Sequence, residues 1–158
     1  MMSEPMMMDS QAQSSEQQAA VAMPQKFRIK RVGARPLAFE GSELGMAMSF
    51  SPANEYWYEV NIYRTADTRF VLAVRLFYQS DDHQDTAKAW ECDTFGEVMD
   101  RLEGYDAAQD IQVKLAAEDL KLSLPELAAR AMGFQAEAEA ARLQFRGLVG
   151  EILHELDQ

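Results

Sequence analysis

The chain has 158 residues, 47% of them apolar and 26% charged, which is typical of one globular domain and excludes disorder throughout. Its 26 acids outnumber its 15 bases, and the net charge of −11 opposes binding to nucleic acid or anionic membranes. The excess is uneven, because residues 93–158 hold 14 acids and only 6 bases. No apolar run approaches the roughly 20 residues that span a bilayer.

Residues 1–25 are predicted to form a disordered tail, because they are rich in Gln, Ser, Ala and Met and lack a sustained hydrophobic period. The clustered methionines raise the alternative that translation begins at Met23. The terminus lacks the pattern of a secretory signal, and the single cysteine, Cys92, excludes an internal disulfide. Both features favour the cytoplasm. We expect residues 26–158 to form a single domain.

Period-two alternation predicts a β-meander of four or five antiparallel strands over residues 26–92. Phe27 and Ile29 alternate with basic residues in the first strand. The apolar parity changes beside Gly41, so residues 37–50 form either one bent strand or two short strands. Residues 56–63 and 70–78 give the clearest alternation and predict a hairpin, and a last strand follows at about residues 86–92.

Three or four helices are predicted over residues 93–158, packed mainly on one face of the sheet in an α+β fold. Thr94 and Glu97 have the spacing of a capping box. Residues 107–122 fit a helix or a strand, and we favour a helix. Ser123 and Glu126 repeat the capping-box spacing before a helix that we expect to break at Gly133, and a long amphipathic helix follows.

An acidic loop offers a candidate metal site. Carboxylates and an imidazole are ligands for divalent cations, but this spacing lacks the glycine and terminal glutamate of an EF-hand loop. Asp and Ser also form solvated turns without any metal, so we expect no metal and no cofactor. The candidate ligands are Asp81, Asp82, His83 and Asp85.

A basic stripe on the first strand offers a candidate binding surface. Bases spaced two apart on a strand lie on one face, where they could bind a phosphate backbone or an acidic partner. They also fit an edge strand that is protected from pairing with another chain. The residues are Lys26, Arg28, Lys30, Arg31 and Arg35.

Two further patterns suggest nucleic-acid binding but have simpler explanations. Trp57, Tyr63 and Phe77 share a sheet face that could stack bases, although burial under the C-terminal helices is the favoured interpretation. Residues 124–142 resemble a helix-turn-helix. The second helix of that motif would present Glu137 and Glu139, which repel phosphates.

No pattern indicates catalysis. Cys92 precedes a capped helix whose dipole could lower the pKa of its thiol, but no histidine is placed to assist it. The leading hypothesis is a non-enzymatic protein-interaction or regulatory module with an acidic helical surface that imitates nucleic-acid charge toward a basic protein. The alternatives are nucleic-acid binding through the first strand and sheet aromatics, and a small enzyme or metal-binding protein. The acids expected to contact the partner are Glu137, Glu139, Glu151 and Glu155.

Overall fold

The computed structural model of the protein describes residues 23–111 and 121–157. Most of the predicted tail and residues 112–120 of the ambiguous segment lie outside these ranges. In chain order the elements are β1 (Gln25–Ile29), β2 (Leu37–Met48), β3 (Tyr56–Thr65), β4 (Phe70–Tyr78), β5 (Thr86–Cys92), α1 (Phe95–Gly104), a 3-10 turn (Ala107–Asp110) and α2 (Leu124–Leu156).

The five strands of the described residues form one antiparallel sheet in the order in which they occur along the chain. Each strand therefore pairs with its sequence neighbour, and β1 and β5 are the two edges. The predicted meander is confirmed, with the larger of the two expected strand numbers. Helices follow it, so the fold class is α+β.

Strand β2 bends and continues instead of ending at the change of parity. Its register against β3 shifts between Glu43 and Gly45, which is the signature of a β-bulge. Gly41 permits the close approach of the strands, because a Cβ atom at this position would overlap the carbonyl oxygen of Arg64. Of the two alternatives for residues 37–50, the single bent strand is correct.

The bend allows the β1–β2 hairpin to cover one face of the sheet. Phe27 and Phe39 contact each other and both contact the Tyr63 ring, with centroids 4.8 to 5.4 Å apart. Beyond the strand ends, the Val32 amide donates to the Ala87 carbonyl oxygen in β5 across 2.8 Å. The covered side chains on β3, β4 and β5 form a small core of Tyr63, Val71, Ala73 and Ala89.

The larger core joins the opposite sheet face to the helices. Phe145 of α2 contacts the ring of Tyr58 in β3, and Val98 and Leu102 of α1 are fully buried in the same cluster. Burial of each large apolar side chain contributes about 1.5–3 kcal/mol, so this cluster is the main source of stability. Its α2 members are Ala141, Phe145, Leu148, Val149 and Ile152.

The number of helices differs from the prediction. The described residues contain two α-helices, not three or four. The expected break at Gly133 is wrong, because α2 runs through it for 33 residues. A helical glycine costs only about 1 kcal/mol, and the alanine-rich flanks have high helix propensity. Of the ambiguous segment, residues 107–110 form the 3-10 turn.

Candidate interaction surfaces

The first half of α2 differs from the second half in its burial. Residues 123–137 are exposed without exception, whereas buried positions recur from Ala138 onward. At 1.5 Å per residue, the exposed part of the helix is about 21 Å long. We call residues 124–137 the projecting half of α2. Its capping box is complete: Ser123 accepts from the Glu126 amide, and Glu126 accepts from the Ser123 amide.

An apolar stripe continues from the buried half of α2 into the projecting half. At about 100° per residue, Leu127, Ala131 and Phe134 lie on the same side of the helix as Phe145 and Ile152. Phe145 and Ile152 are buried in the core, whereas Leu127 is 44% exposed and Phe134 is 38% exposed. The apolar side of α2 therefore continues N-terminal to Ala138, the first buried position of the helix.

A line of carboxylates runs beside this stripe. Glu126, Glu137, Glu151 and Glu155 fall within about 40° of one another around the helix axis, over a length of about 44 Å. All four side chains are exposed. In the described part of the chain, no ion pair involves Glu137, Glu151 or Glu155. Three of the four predicted contact acids thus lie on one flank of α2, next to the apolar stripe: Glu137, Glu151 and Glu155.

The fourth predicted acid, Glu139, lies on the other flank and belongs to an ion-pair network. Arg142 contacts Glu139 at 2.6 Å and Asp106 at 2.8 Å, which ties α2 to the 3-10 turn. The hydrogen bond from Arg142 lowers the pKa of Asp106 to about 2, with a smaller contribution from the Ala108 amide. Because Glu139 is engaged inside the chain, it is a weaker candidate for partner contact than Glu137.

A groove marks the place where the projecting half leaves the domain. It lies between the 3-10 turn and α2 and has a volume of about 620 Å³. Its apolar lining includes Phe134 and Ala138, and its polar lining includes the Asp106–Arg142 ion pair. The apolar stripe therefore passes along an open groove at the base of the projecting half.

A buried carboxylate anchors the 3-10 turn against the sheet. Asp110 accepts hydrogen bonds from the hydroxyl groups of Tyr58 (2.8 Å) and Tyr105 (2.6 Å), and it forms an ion pair with Lys88 Nζ at 3.0 Å. Burial is the main cause that raises the pKa of both tyrosines, and the neighbouring Asp110 charge adds to it. The two phenols are therefore hydrogen-bond donors that stay protonated. This cluster positions the turn and, through Asp106, the base of α2.

The basic stripe lies on the outer face of the β1–β2 hairpin. Lys26, Arg28 and Lys30 are exposed, while Phe27 and Ile29 between them face the small core. Arg35 is also exposed. Arg31 is half-buried and donates from Nε to the Arg35 carbonyl oxygen at 2.6 Å, which closes the hairpin turn.

The acidic loop does not bring its candidate ligands together. Asp85 accepts from the Tyr78 amide at 2.9 Å, the Asp82 amide donates to the Ser80 hydroxyl, and the His83 ring packs against Tyr78. Among the residues that the structure describes, no group of three or more His, Cys, Asp or Glu side chains is arranged to hold a metal ion. The local hydrogen bonds are those of a hairpin connection.

The sheet aromatics divide between two environments. Tyr63 is buried in the small core under the β1–β2 hairpin. Trp57 and Phe77 are half-buried and stack with centroids 5.7 Å apart, and exposed Phe50 packs edge-on against Trp57. The interpretation that the C-terminal helices cover this face is wrong, because α1 and α2 join the core on the other face.

Two remaining candidates are also corrected. The continuous α2 contains no turn at Gly133, so residues 124–142 are not a helix-turn-helix. Cys92 is buried, and burial raises the pKa of its thiol more than the neighbouring Arg101 lowers it. Burial of Cys92 in the core therefore opposes the expected lowering of its pKa.

The sequence pattern did not predict the Asp110 cluster or the exposure of Met46 and Met48 in β2. The cluster assembles residues from β3, β5 and the segment after α1, so only tertiary structure brings them together.

No known protein family, curated protein or solved structure was found to match the chain. In the described ranges, neither helix combines the length and hydrophobicity needed to cross a bilayer.

Proposed function

We propose that the protein is a non-enzymatic protein-interaction module and that the projecting half of α2 is its contact surface. The observation that carries this proposal is the continuation of the core-facing apolar stripe, through Leu127 and Phe134, along a helix half with no buried residue. A helix that is already nucleated can propagate without packing, so extension alone needs no partner. The exposed apolar stripe is the feature that a partner explains.

The partner offers an apolar groove with a basic rim. Amphipathic helices bind such grooves through residues spaced three and four apart. Leu124, Leu127 and Phe134 have the required spacing, and burying each of them would contribute roughly 1.5–3 kcal/mol before the costs of association. The exposed carboxylate of Glu137, which forms no ion pair among the described residues, would then lie against the basic rim.

The other two classes have weaker support. Nucleic-acid binding by the first strand and sheet aromatics loses Tyr63 as a stacking residue, since the hairpin covers it. The net charge of −11 opposes a polyphosphate at long range. An enzyme or metal site at the residues predicted from the sequence would need those groups to converge, whereas Cys92 lies in the core and the acidic loop residues form separate local contacts.

The test compares two faces of α2. A Leu127→Lys and Phe134→Lys double variant changes the stripe. A Met132→Lys and Leu143→Lys double variant is the matched control, because those exposed residues lie roughly 150° away around the helix. Both variants should retain the circular dichroism spectrum and thermal midpoint of the original chain, since the core is untouched.

The three proteins are used as baits in extracts of the native host, and captured proteins are identified by mass spectrometry and then purified. We expect at least one protein to be captured by both the original chain and the control variant. The stripe variant should fail to capture that protein. Titration calorimetry should show an affinity that falls with added salt. Equal capture by all three baits, or capture of nucleic acid alone, would contradict the proposal.

A further inference from the structure

Strand β1 has an open edge. It pairs only with β2, and the Val32–Ala87 hydrogen bond lies beyond its end. In the described ranges, the outer edge of Gln25–Ile29 therefore has no strand partner. Every second residue of an edge strand points its backbone N–H and C=O groups outward, where they can pair with another extended chain.

The side chains along this edge present one sign of charge. Lys26, Arg28 and Lys30 share the solvent face, and none of them forms an ion pair among the described residues. Glu40 is opposite Lys26 in the β1–β2 register but does not form a salt bridge with it. The three cations are thus available to groups outside the domain.

The same charges select against a second copy of the chain. Antiparallel pairing of β1 with its own copy, in the register centred on Arg28, would place Lys26 opposite Lys30 and Arg28 opposite Arg28, and like charges in opposite positions destabilise a ladder. A strand with acidic side chains at alternate positions reverses the sign of each of these contacts. Protection of the edge and choice of partner therefore follow from one set of residues.

We propose that β1 is a strand-addition site for an extended acidic segment of another protein. The segment forms a ladder with Gln25–Ile29, and its alternate carboxylates lie beside Lys26, Arg28 and Lys30. Such β-augmentation takes affinity from backbone hydrogen bonds and specificity from alternate side chains. A polyphosphate would use the cations but leave the backbone groups unpaired, so the open edge favours a peptide. This site is separate from the projecting half of α2.

The test uses the full chain and a synthetic nine-residue peptide that alternates Glu and Val. Binding is measured by calorimetry, and amide hydrogen exchange of β1 is followed by NMR. We expect saturable binding that slows exchange of outward-facing amides within Gln25–Ile29. A peptide with Lys in place of Glu should bind at least about tenfold more weakly, since each cross-strand charge pair changes sign. Absence of binding by the Glu peptide would overturn the proposal.

Charge reversal on the protein supplies the matched variant. Lys26→Glu, Arg28→Glu and Lys30→Glu together should abolish binding of the acidic peptide and permit binding of the Lys peptide. Arg146→Glu on exposed α2 should change neither. If the triple variant fails to fold, the milder Lys26→Gln and Lys30→Gln pair should weaken binding by about tenfold. Unchanged affinity in the variant that folds would overturn the proposal.

Backbone pairing is tested with two peptides of unchanged charge, one N-methylated at every Glu and the other at every Val. In a strand the amides of alternate residues point to opposite edges, so one of these peptides loses the donors that face β1. Loss of binding by either peptide supports a ladder. Full retention by both, or tighter binding of random-sequence single-stranded DNA than of the acidic peptide, would overturn strand addition in favour of simple charge attraction.

Discussion

The Tyr58 hydroxyl in β3 donates to Asp110 Oδ2 across 2.8 Å, and this hydrogen bond joins the sheet to the 3-10 turn. Tyr58 is completely buried, and the Asp110 side chain is 2% exposed. A buried carboxylate is stable only when its lone pairs are satisfied, and here two phenols and Lys88 satisfy them.

We expect Tyr58→Phe to lower the free energy of unfolding by about 1.5–3 kcal/mol, because the lost hydrogen bond ends on a charged acceptor. Tyr78→Phe is the matched control, since its hydroxyl donates to the neutral Asp110 carbonyl oxygen at 3.3 Å. That change should cost about 0.5–1.5 kcal/mol. Urea denaturation of the three proteins measures the difference, and an equal loss in both variants would argue against Asp110 as the anchor.

Gly41→Ala should destabilise the protein by about 1–3 kcal/mol, because the added methyl group overlaps the Arg64 carbonyl oxygen and the strands must separate. Gly147→Ala in α2 has no atom within 4 Å of the added Cβ and should stabilise the protein by up to about 1 kcal/mol. Thermal unfolding should therefore shift in opposite directions. A higher midpoint in both variants would show that β2 and β3 can move apart without cost.

Two phenylalanines on the same stripe of α2 should respond differently to truncation. Phe145→Ala opens a cavity beside Tyr58 and should cost about 3–5 kcal/mol. Phe134→Ala removes a side chain from the projecting half and should change stability by less than about 1 kcal/mol. Chemical denaturation compares them. A large loss at Phe134 would mean that the projecting half is packed inside the chain, which would also weaken the proposed function.

The Asp106–Arg142 ion pair should give the protein an acid-sensitive contact. The pKa of Asp106 is lowered from 3.8 to about 2 in the folded chain, so the folded state favours the carboxylate. Its stabilising contribution is present above about pH 4 and is lost as the pH falls toward 2. Asp106→Asn keeps the oxygen that caps the 3-10 turn but removes the charge.

Thermal midpoints of both proteins between about pH 5 and pH 2 should therefore converge as the pH falls, with the original chain declining more steeply. Sodium chloride at about 1 M should reduce the gap at pH 5, because an exposed pair is screened. Curves that remain parallel over this range would show that Arg142 does not stabilise the ionised form of Asp106.

The strands were predictable because alternation records directly which side chains face a core. The parity change beside Gly41 even located the bend in β2, although the bulge itself lies at Glu43 and Gly45. The break at Gly133 was mispredicted because glycine lowers helix propensity without forbidding a helix. Whether a helix continues through a glycine depends on the residues that flank it.

The candidate surfaces were predicted only in part. Exposure of Lys26, Arg28 and Lys30 follows from alternation on an edge strand, whereas burial of Ala138 and Ala141 in α2 did not follow from the alanine-rich pattern. The sequence did not predict which elements cover each face of the sheet. Alternation distinguishes the two faces of a strand, but it does not predict that the β1–β2 hairpin covers Tyr63 while the helices cover Tyr58.

The sequential strand order has a consequence for how the chain folds. Each ladder joins neighbouring strands through a short connection, so most sheet contacts close small loops and cost little chain entropy. The contacts between α2 and β2 join residues about a hundred positions apart in the chain, and they form only once both elements are in place. We therefore expect the meander from β2 to β5 to supply the folding nucleus. We expect α2 to finish docking after the transition state of folding.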